Sequence, residues 1–171
     1  AFYVADLQSK HSTCAGKNSP IAQLNCYLAE LKANQKKLTV ANPRLAPYGV
    51  AAKQTLTNLS YWQPLRPQLV LASNVNQSFQ QLRSAAINYG LGTHSQLVLN
   101  NLTGILIPQS LYQPIEQQLA ILKTSKNKLQ AQAFINFLLS ANSQSFIANM
   151  GYQAPAFTAI ALSKQQLVKQ P

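Results

Sequence analysis

Short apolar runs alternate with amphipathic segments along most of this chain. The run at 38–41 (LTVA) is continuous and partly β-branched, and the run at 68–72 (QLVLA) has the same character, so both predict buried strands. Apolar residues at roughly helical spacing follow each run: Val50, Ala51, Leu56 and Leu59 after the first, and Val75, Phe79, Leu82 and Ala86 after the second. The alternation of strand and helix predicts an α/β fold with parallel strands.

The same patterns predict the other elements. Strands are expected at 1–8, 87–93, 104–108 and 118–123, helices at 21–32, 128–140 and 142–150, and a short helix or an edge strand at 96–100. Two glycines within 87–93 predict that another part of the chain approaches this backbone closely. Gly151 has the position of a glycine that ends a helix.

The connection between the strand at 38–41 and its helix has the chemistry of an anion site. Asn42-Pro43 ends the strand, and Pro47 is favoured in the first turn of a helix. The helix N-terminus therefore lies at the carboxyl end of the strand, where backbone N–H groups and the helix dipole can hold an anion. Ser73-Asn74 offers N-cap chemistry at the second such unit. The alternative is an ordinary α/β connection that holds nothing.

Composition limits the classes of partner. The chain has 171 residues, 47% of them apolar, and a mean hydropathy of −0.07, which is typical of a globular protein. Its apolar runs are far shorter than the about 20 residues of a membrane helix. The net charge of +11, from 14 Lys and Arg against three acids, invites an anionic partner. The basic residues are scattered and not interleaved with aromatic residues, which favours a solvated basic face over a nucleic-acid site.

Catalytic and metal-binding patterns do not stand out in the sequence. The three carboxylates, Asp6, Glu30 and Glu116, are far apart along the chain, and His11 and His94 lack a metal-ligand spacing. No GxSxG, P-loop or GxGxxG motif is present in the sequence. We therefore expect neither an enzyme nor a metal site.

Two cysteines, Cys14 and Cys26, bear on whether the protein's compartment is oxidising or reducing. In an oxidising compartment we expect them to pair, closing a loop with 11 intervening residues and contributing about 2–3 kcal/mol. The alternative is two unrelated thiols in a cytosolic protein. The chain opens without a signal-peptide pattern, so either a leader has been removed or the chain is a segment of something longer.

Three groups of motifs together resemble the periplasmic molybdate-binding proteins of ABC importers. The first group is ANP at 41–43, APYG at 46–49 and AAK at 51–53. The second is Asn74-Val75 at the start of a helix, followed by GLGTHSQ at 90–96. The third comprises Pro108 with LYQPI at 111–115, AF at 133–134, FL at 137–138 and MGY at 150–152. The resemblance covers about residues 1–152, with the motifs in the family's order.

The resemblance implies a type II periplasmic-binding-protein fold, in which two lobes close on a tetrahedral oxyanion, molybdate or tungstate. It places the second lobe at 8–95, parts of the first lobe at 1–7 and 96–152, and a divergent tail at 153–171. The family's two serine-bearing anion loops precede the point where this chain begins. A second chain, a second copy of this chain or the tail would then complete the first lobe.

The resemblance also implies the site residues. Tyr48 and Val75 would donate their backbone N–H groups, and Thr93 would stand where some family members have a tyrosine whose hydroxyl binds the anion. Pro47 and Asn74 would support the site. The expected partner is an ABC permease in the inner membrane, and the expected location is the periplasm. The other hypothesis is an interaction protein on the same fold that has lost transport and binds no anion by itself.

Overall fold

A computed structural model describes residues 1–4, 14 and 16–153 of the chain. Two compact units divide the chain, Ala1–Gln117 and Gln118–Pro171. The first unit contains the strands β1 (Phe2–Val4), β2 (Leu38–Ala41), β3 (Leu69–Ala72) and β4 (Tyr89–Leu91), and the helices α1 (Pro20–Ala33), α2 (Pro47–Asn58), α3 (Val75–Arg83) and α4 (His94–Leu99). The second contains α5 (Lys128–Leu138) and α6 (Ala141–Asn149). Short 3₁₀ turns occur at Arg66–Gln68 and Gln109–Leu111.

The four strands form one sheet with the order β1-β4-β2-β3. The strands β3 and β4 both run parallel to β2, and β1 runs antiparallel to β4. In the register of the central strands, Ala41 lies opposite Ala72 and Thr39 opposite Gly90. The carboxyl ends of β2, β3 and β4 therefore meet at one edge of the sheet, and α2, α3 and α4 all begin there. The predicted parallel α/β arrangement is confirmed.

The central strand β2 is buried on both faces. Leu38 and Val40 join an apolar cluster with Leu24, Leu28 and Leu31 of α1 and with Leu56 of α2. The other face of β2 meets α3 through hydroxyl and amide groups, since Thr39 Oγ1 lies 3.0 Å from Ser78 Oγ and 2.6 Å from Gln81 Oε1. An amide oxygen only accepts, so Thr39 donates to Gln81 at the shorter of these two distances. This network fixes α3 against the sheet.

A disulfide joins Cys14 to Cys26 in α1, which is the pairing that the sequence predicts. Cys14 is fully buried and belongs to the same apolar cluster. The two sulfurs and a carboxylate oxygen of Glu30 lie within 4.8 Å of one another. Because the disulfide leaves no thiolate to coordinate an ion, this group is not a metal site.

The second unit is described over residues 118–153. Ser140 caps α6, its Oγ accepting the Ser143 N–H at 3.4 Å, and Gly151 has a φ of 86° after the helix, as predicted for a helix-ending glycine. Several large apolar side chains of this unit are exposed: Leu119, Leu122, Leu129, Phe134, Phe137, Leu139, Phe146 and Tyr152. No helix among the described residues is long and apolar enough to cross a bilayer.

Two of the predicted strands are wrong. Residues 104–108 contain one isolated bridge at Ile105, and 118–123 have no strand. Both are short apolar runs, and such a run becomes a strand only where a neighbouring strand can complete its hydrogen-bond ladder. Residues 96–99 are helical, as part of α4, and Asn100 is the C-cap of that helix. Residues 5–8 of the predicted first strand, and all but Gln153 of the predicted tail at 153–171, lie outside the described residues.

Candidate anion-binding site

Three strand-to-helix connections meet at the carboxyl edge of the sheet. They are 42–46 between β2 and α2, 73–74 between β3 and α3, and 92–93 between β4 and α4. The predicted site residues Tyr48, Val75 and Thr93 all lie at or just after these connections. Parallel pairing of β2 with both neighbours is what brings the three together from distant parts of the sequence.

The first connection is held by Asn42. Its backbone N–H donates to Ala72 O at 2.7 Å, its Oδ1 accepts the Arg44 N–H at 2.9 Å, and its carbonyl oxygen accepts the N–H groups of Leu45 and Ala46 at 3.0 Å. These bonds turn the chain sharply from β2 into α2. The sequence predicts only that Asn42-Pro43 ends the strand, although an asparagine before a proline-led helix is also the signal of an Asx turn, which could have identified these hydrogen bonds.

Helix α2 begins at Pro47, which places Tyr48 at its second position. Its N-cap residue is Ala46, whose methyl side chain cannot accept a hydrogen bond. The N-cap residues of the other helices of this unit, Ser19, Asn74 and Thr93, each accept a backbone N–H from the first turn. Among these four helix starts, that of α2 is therefore the one whose N-cap side chain makes no hydrogen bond to the first turn.

Gly49 allows the first turn of α2 to lie directly on the end of β2. A Cβ at this position would lie 2.6 Å from the carbonyl carbon of Asn42 and 2.7 Å from its oxygen, and would also collide with Ala41 O. These are backbone atoms, which cannot move aside without displacing the connection. Gly49 thus sets how closely α2 approaches the sheet edge.

Helix α3 begins at Val75, which is half-buried. Asn74 caps the helix, its Oδ1 accepting the Gln77 N–H at 2.9 Å, and Gln77 Oε1 accepts in return from the Ser73 N–H at 2.6 Å. This reciprocal pair fixes the direction in which the Val75 peptide points. The supporting role predicted for Asn74 matches its geometry as an N-cap.

Thr93 is the N-cap of α4 and is buried. Its Oγ1 accepts the Gln96 N–H at 3.0 Å and lies 2.9 Å from Ser95 Oγ. Gln96 Oε1 accepts the Thr93 N–H at 3.1 Å, which completes a capping box. The hydroxyl predicted to contact an anion therefore already has two neighbours within hydrogen-bond distance.

One side chain connects the second and third connections. Gln96 Nε2 donates to Asn76 Oδ1 at 3.1 Å and to Val75 O at 3.4 Å, both in the first turn of α3. Sequence reasoning missed this residue as a contributor. The Thr-x-x-Gln spacing is the signature of a capping box and could have identified its contact to Thr93, but nothing local indicates its contact to α3.

A groove runs beside this edge on the outer side of α2. Pro43, Arg44, Pro47 and Gln54 line it together with residues 113–116, whereas Val75 and Thr93 do not. The three helix starts thus form an open edge next to the groove.

Comparison with known proteins identifies the family. The sequence matches the family of bacterial extracellular solute-binding proteins over residues 14–153. The chain belongs to this family. Its members bind solutes, which agrees with the expectation that the chain is not an enzyme.

The most similar relatives include two molybdate-binding proteins named ModA. That of Rhodobacter capsulatus is 30% identical over 125 residues, which are 72% of this chain and 50% of the relative. That of Azotobacter vinelandii is 33% identical over 129 residues, 72% of this chain and 51% of the relative. The chain thus spans about half the length of these relatives.

Solved structures show the same fold. The periplasmic molybdate-binding protein of Azotobacter vinelandii superposes with a TM-score of 0.68 at 25% identity, over 90% of this chain and 64% of that protein. The substrate-binding domain of a putative molybdenum ABC transporter from Clostridium difficile gives a TM-score of 0.62 at 25% identity, over 90% of this chain and 62% of that domain. The periplasmic-binding-protein-like fold and the family resemblance are confirmed.

Proposed function

We propose that this chain forms one wall of a binding site for a tetrahedral oxyanion, molybdate or tungstate, in the solute-binding component of an ABC importer. The observation that carries the proposal is the meeting of three helix starts at one sheet edge, with α2 lacking a side-chain acceptor at its N-cap. The two molybdate-binding relatives give the class of anion.

In the proposed site, the peptide N–H groups of Tyr48 and Val75 donate to the anion from the first turns of α2 and α3. Both helices are long enough for their dipoles to favour negative charge there, with 12 and 9 residues. Pro47 and Asn74 hold these turns in place. Thr93 provides a third contact when Ser95 donates to Thr93 Oγ1 and the Thr93 hydroxyl hydrogen points towards the anion.

The proposed setting is the periplasm, with the loaded protein docking to a permease in the inner membrane. The Cys14–Cys26 disulfide supports an oxidising compartment, since such bonds rarely persist in the cytosol. The relatives are about twice the length of the matched region, so the opposite wall of the site belongs to polypeptide beyond this region or to another chain. Its serine hydroxyls, as the resemblance implies, would complete the anion's shell.

The test is isothermal titration of the 171-residue chain with molybdate, with sulfate and phosphate for comparison. We expect molybdate to bind weakly, because this chain supplies one wall of the proposed site, and the Ala46→Asp variant to bind it about tenfold more weakly again. A carboxylate at the N-cap places a negative charge where the anion would lie and so repels it, while an acceptor at this position stabilises the helix by about 1 kcal/mol.

Ser19→Asp is the matched control, because it places the same charge at the N-cap of α1, a helix that the proposed site does not include. Its molybdate affinity should equal that of the unchanged chain. If circular dichroism shows that the chain is folded and the titration gives no heat of binding, binding of molybdate by this chain is refuted. Binding that Ala46→Asp leaves unchanged would place the anion elsewhere.

A further inference from the structure

We propose that Gln96 is a positioning residue of the oxyanion site, which holds the first turn of α3 in register with the start of α4. The inference rests on the proposed function, since it concerns the placement of the Val75 N–H group. It assigns a role to a side chain that would itself make no contact with the anion.

The two ends of the Gln96 amide have different partners. Its oxygen accepts the Thr93 N–H at 3.1 Å, and its nitrogen donates to Asn76 Oδ1 at 3.1 Å and to Val75 O at 3.4 Å. A reversed amide would set its oxygen against the Val75 carbonyl, so the partners themselves fix its orientation. The single side chain thereby joins two helix starts that are about 20 residues apart in sequence.

The backbone leaves space for this amide. A Cβ at Gly92 would lie 3.1 Å from Gln96 Oε1, which is tighter than an ordinary van der Waals contact. A larger residue at position 92 would push the amide oxygen away from the Thr93 N–H. Gly92 is also held from the other side, because its N–H donates to Ala1 O at 3.0 Å.

The consequence for binding follows from how α3 is held. The Thr39 network fixes α3 through Ser78 and Gln81, whereas the three residues of α3 ahead of Ser78 lie outside that network and are exposed or half-buried. Gln96 reaches these residues from α4 with two hydrogen bonds. Without them, Val75 would keep its helical structure but lose its fixed position relative to Thr93, and an anion that needs both would bind more weakly.

The experiment compares molybdate affinity in four variants by titration calorimetry. Gln96→Met removes both amide contacts while keeping the length of the side chain, and Asn76→Ala removes the better acceptor on α3 while leaving the capping box intact. The double variant tests whether the two substitutions weaken binding through the loss of the same contact. Gln80→Met, on the exposed face of α3, is the control for replacing a glutamine.

We expect Gln96→Met and Asn76→Ala to weaken binding each by about threefold to tenfold, and the double variant to bind no more weakly than Gln96→Met. Gln80→Met should bind as the unchanged chain does. In ¹⁵N-resolved NMR spectra, the shift of the Val75 amide on adding molybdate should shrink in both single variants. A purely structural role would lower thermal stability without changing that shift in the protein that remains folded.

The outcomes separate the two proposals. Suppose that the unchanged chain binds molybdate. If Gln96→Met and Asn76→Ala bind it as tightly as the unchanged chain, or if their losses of affinity add in the double variant, Gln96 does not position the site and the proposed function stands. If the folded, unchanged chain binds no molybdate, the proposed function fails for this chain and the role of Gln96 in the site fails with it.

Discussion

At the scale of single residues, the site depends on side chains that hold other groups in place. Asn42, Asn74 and Gln96 each fix a turn through two or more hydrogen bonds. Sequence reasoning identified Asn74, because N-capping is local and leaves a local pattern. It did not identify the contact from Gln96 to Asn76, because that contact depends on two helices being brought together by the sheet.

The amino group of Ala1 provides a prediction about pH. It donates to Gly92 O at 2.8 Å, and burial lowers its pKa from 8.0 to about 6. Between pH 6 and 8 the unfolded chain holds this proton and the folded chain does not, so folding becomes more favourable as the pH rises. For the 171-residue chain with a free amino group, we expect the free energy of unfolding in urea to increase by about 2 kcal/mol from pH 6 to pH 8.

N-terminal acetylation is the control for that measurement. It removes the titrating group and leaves the two histidines unchanged, so the difference between the acetylated and free chains isolates the amino group. The increase should largely disappear on acetylation. An equal increase in both chains would mean that the amino group is solvated in the folded protein.

At the scale of elements, the sequence predicted the two strand-helix units that form the site. The strands β2 and β3 and the helices α2 and α3 combine a clear apolar period with proline or asparagine at the helix start, so several local signals agree. The runs at 104–108 and 118–123 had only their apolar character, and neither is a strand. Apolar runs show where the chain can be buried, whereas strand formation also needs a partner strand.

Contact between α2 and β2 provides a prediction at this scale. Gly49→Ala would force the first turn of α2 away from the end of β2, because the added methyl group collides with backbone atoms of Ala41 and Asn42. We expect the free energy of unfolding to fall by about 1–3 kcal/mol. Molybdate affinity should fall by about tenfold or more in the protein that remains folded, since Tyr48 moves with the helix.

Gly16→Ala is the matched control, because a Cβ at Gly16 meets nothing within 4 Å. Thermal unfolding compares the stability of the two variants, and titration calorimetry compares their affinity for molybdate. A Gly49→Ala variant as stable as Gly16→Ala would show that α2 can shift without cost and that Gly49 does not set its position.

At the scale of the whole molecule, the boundaries of the lobes stay a prediction. The assignment of 8–95 to the second lobe came from the family resemblance, whereas the compact units of the structure are Ala1–Gln117 and Gln118–Pro171. Helix α5 forms within the predicted helix at 128–140, where the apolar residues at helical spacing make one stripe: Leu129, Ala133, Phe134, Phe137 and Leu138. What the sequence could not give is the partner of that stripe, because periodicity shows which side chains share a face and not what covers the face.

This stripe leads to a prediction about local stability. Neither α5 nor α6 has a buried residue, and Leu129 is 84% and Phe137 64% exposed. Helices of 11 and 9 residues are marginal in water unless tertiary packing stabilises them. We therefore expect amides at 128–149 to exchange with deuterium much faster than those of β2 and α2 when followed by mass spectrometry.

Helix α3 provides the matched comparison for α6, because both have 9 residues but α3 buries Ser78, Phe79 and Leu82. If burial governs local opening, α3 should be protected and α6 should not. Equal protection would mean that something covers the apolar side chains of α6 in solution. Protection that rises with protein concentration would then identify a second copy of the chain as the cover, and protection independent of concentration would place the cover within the same chain.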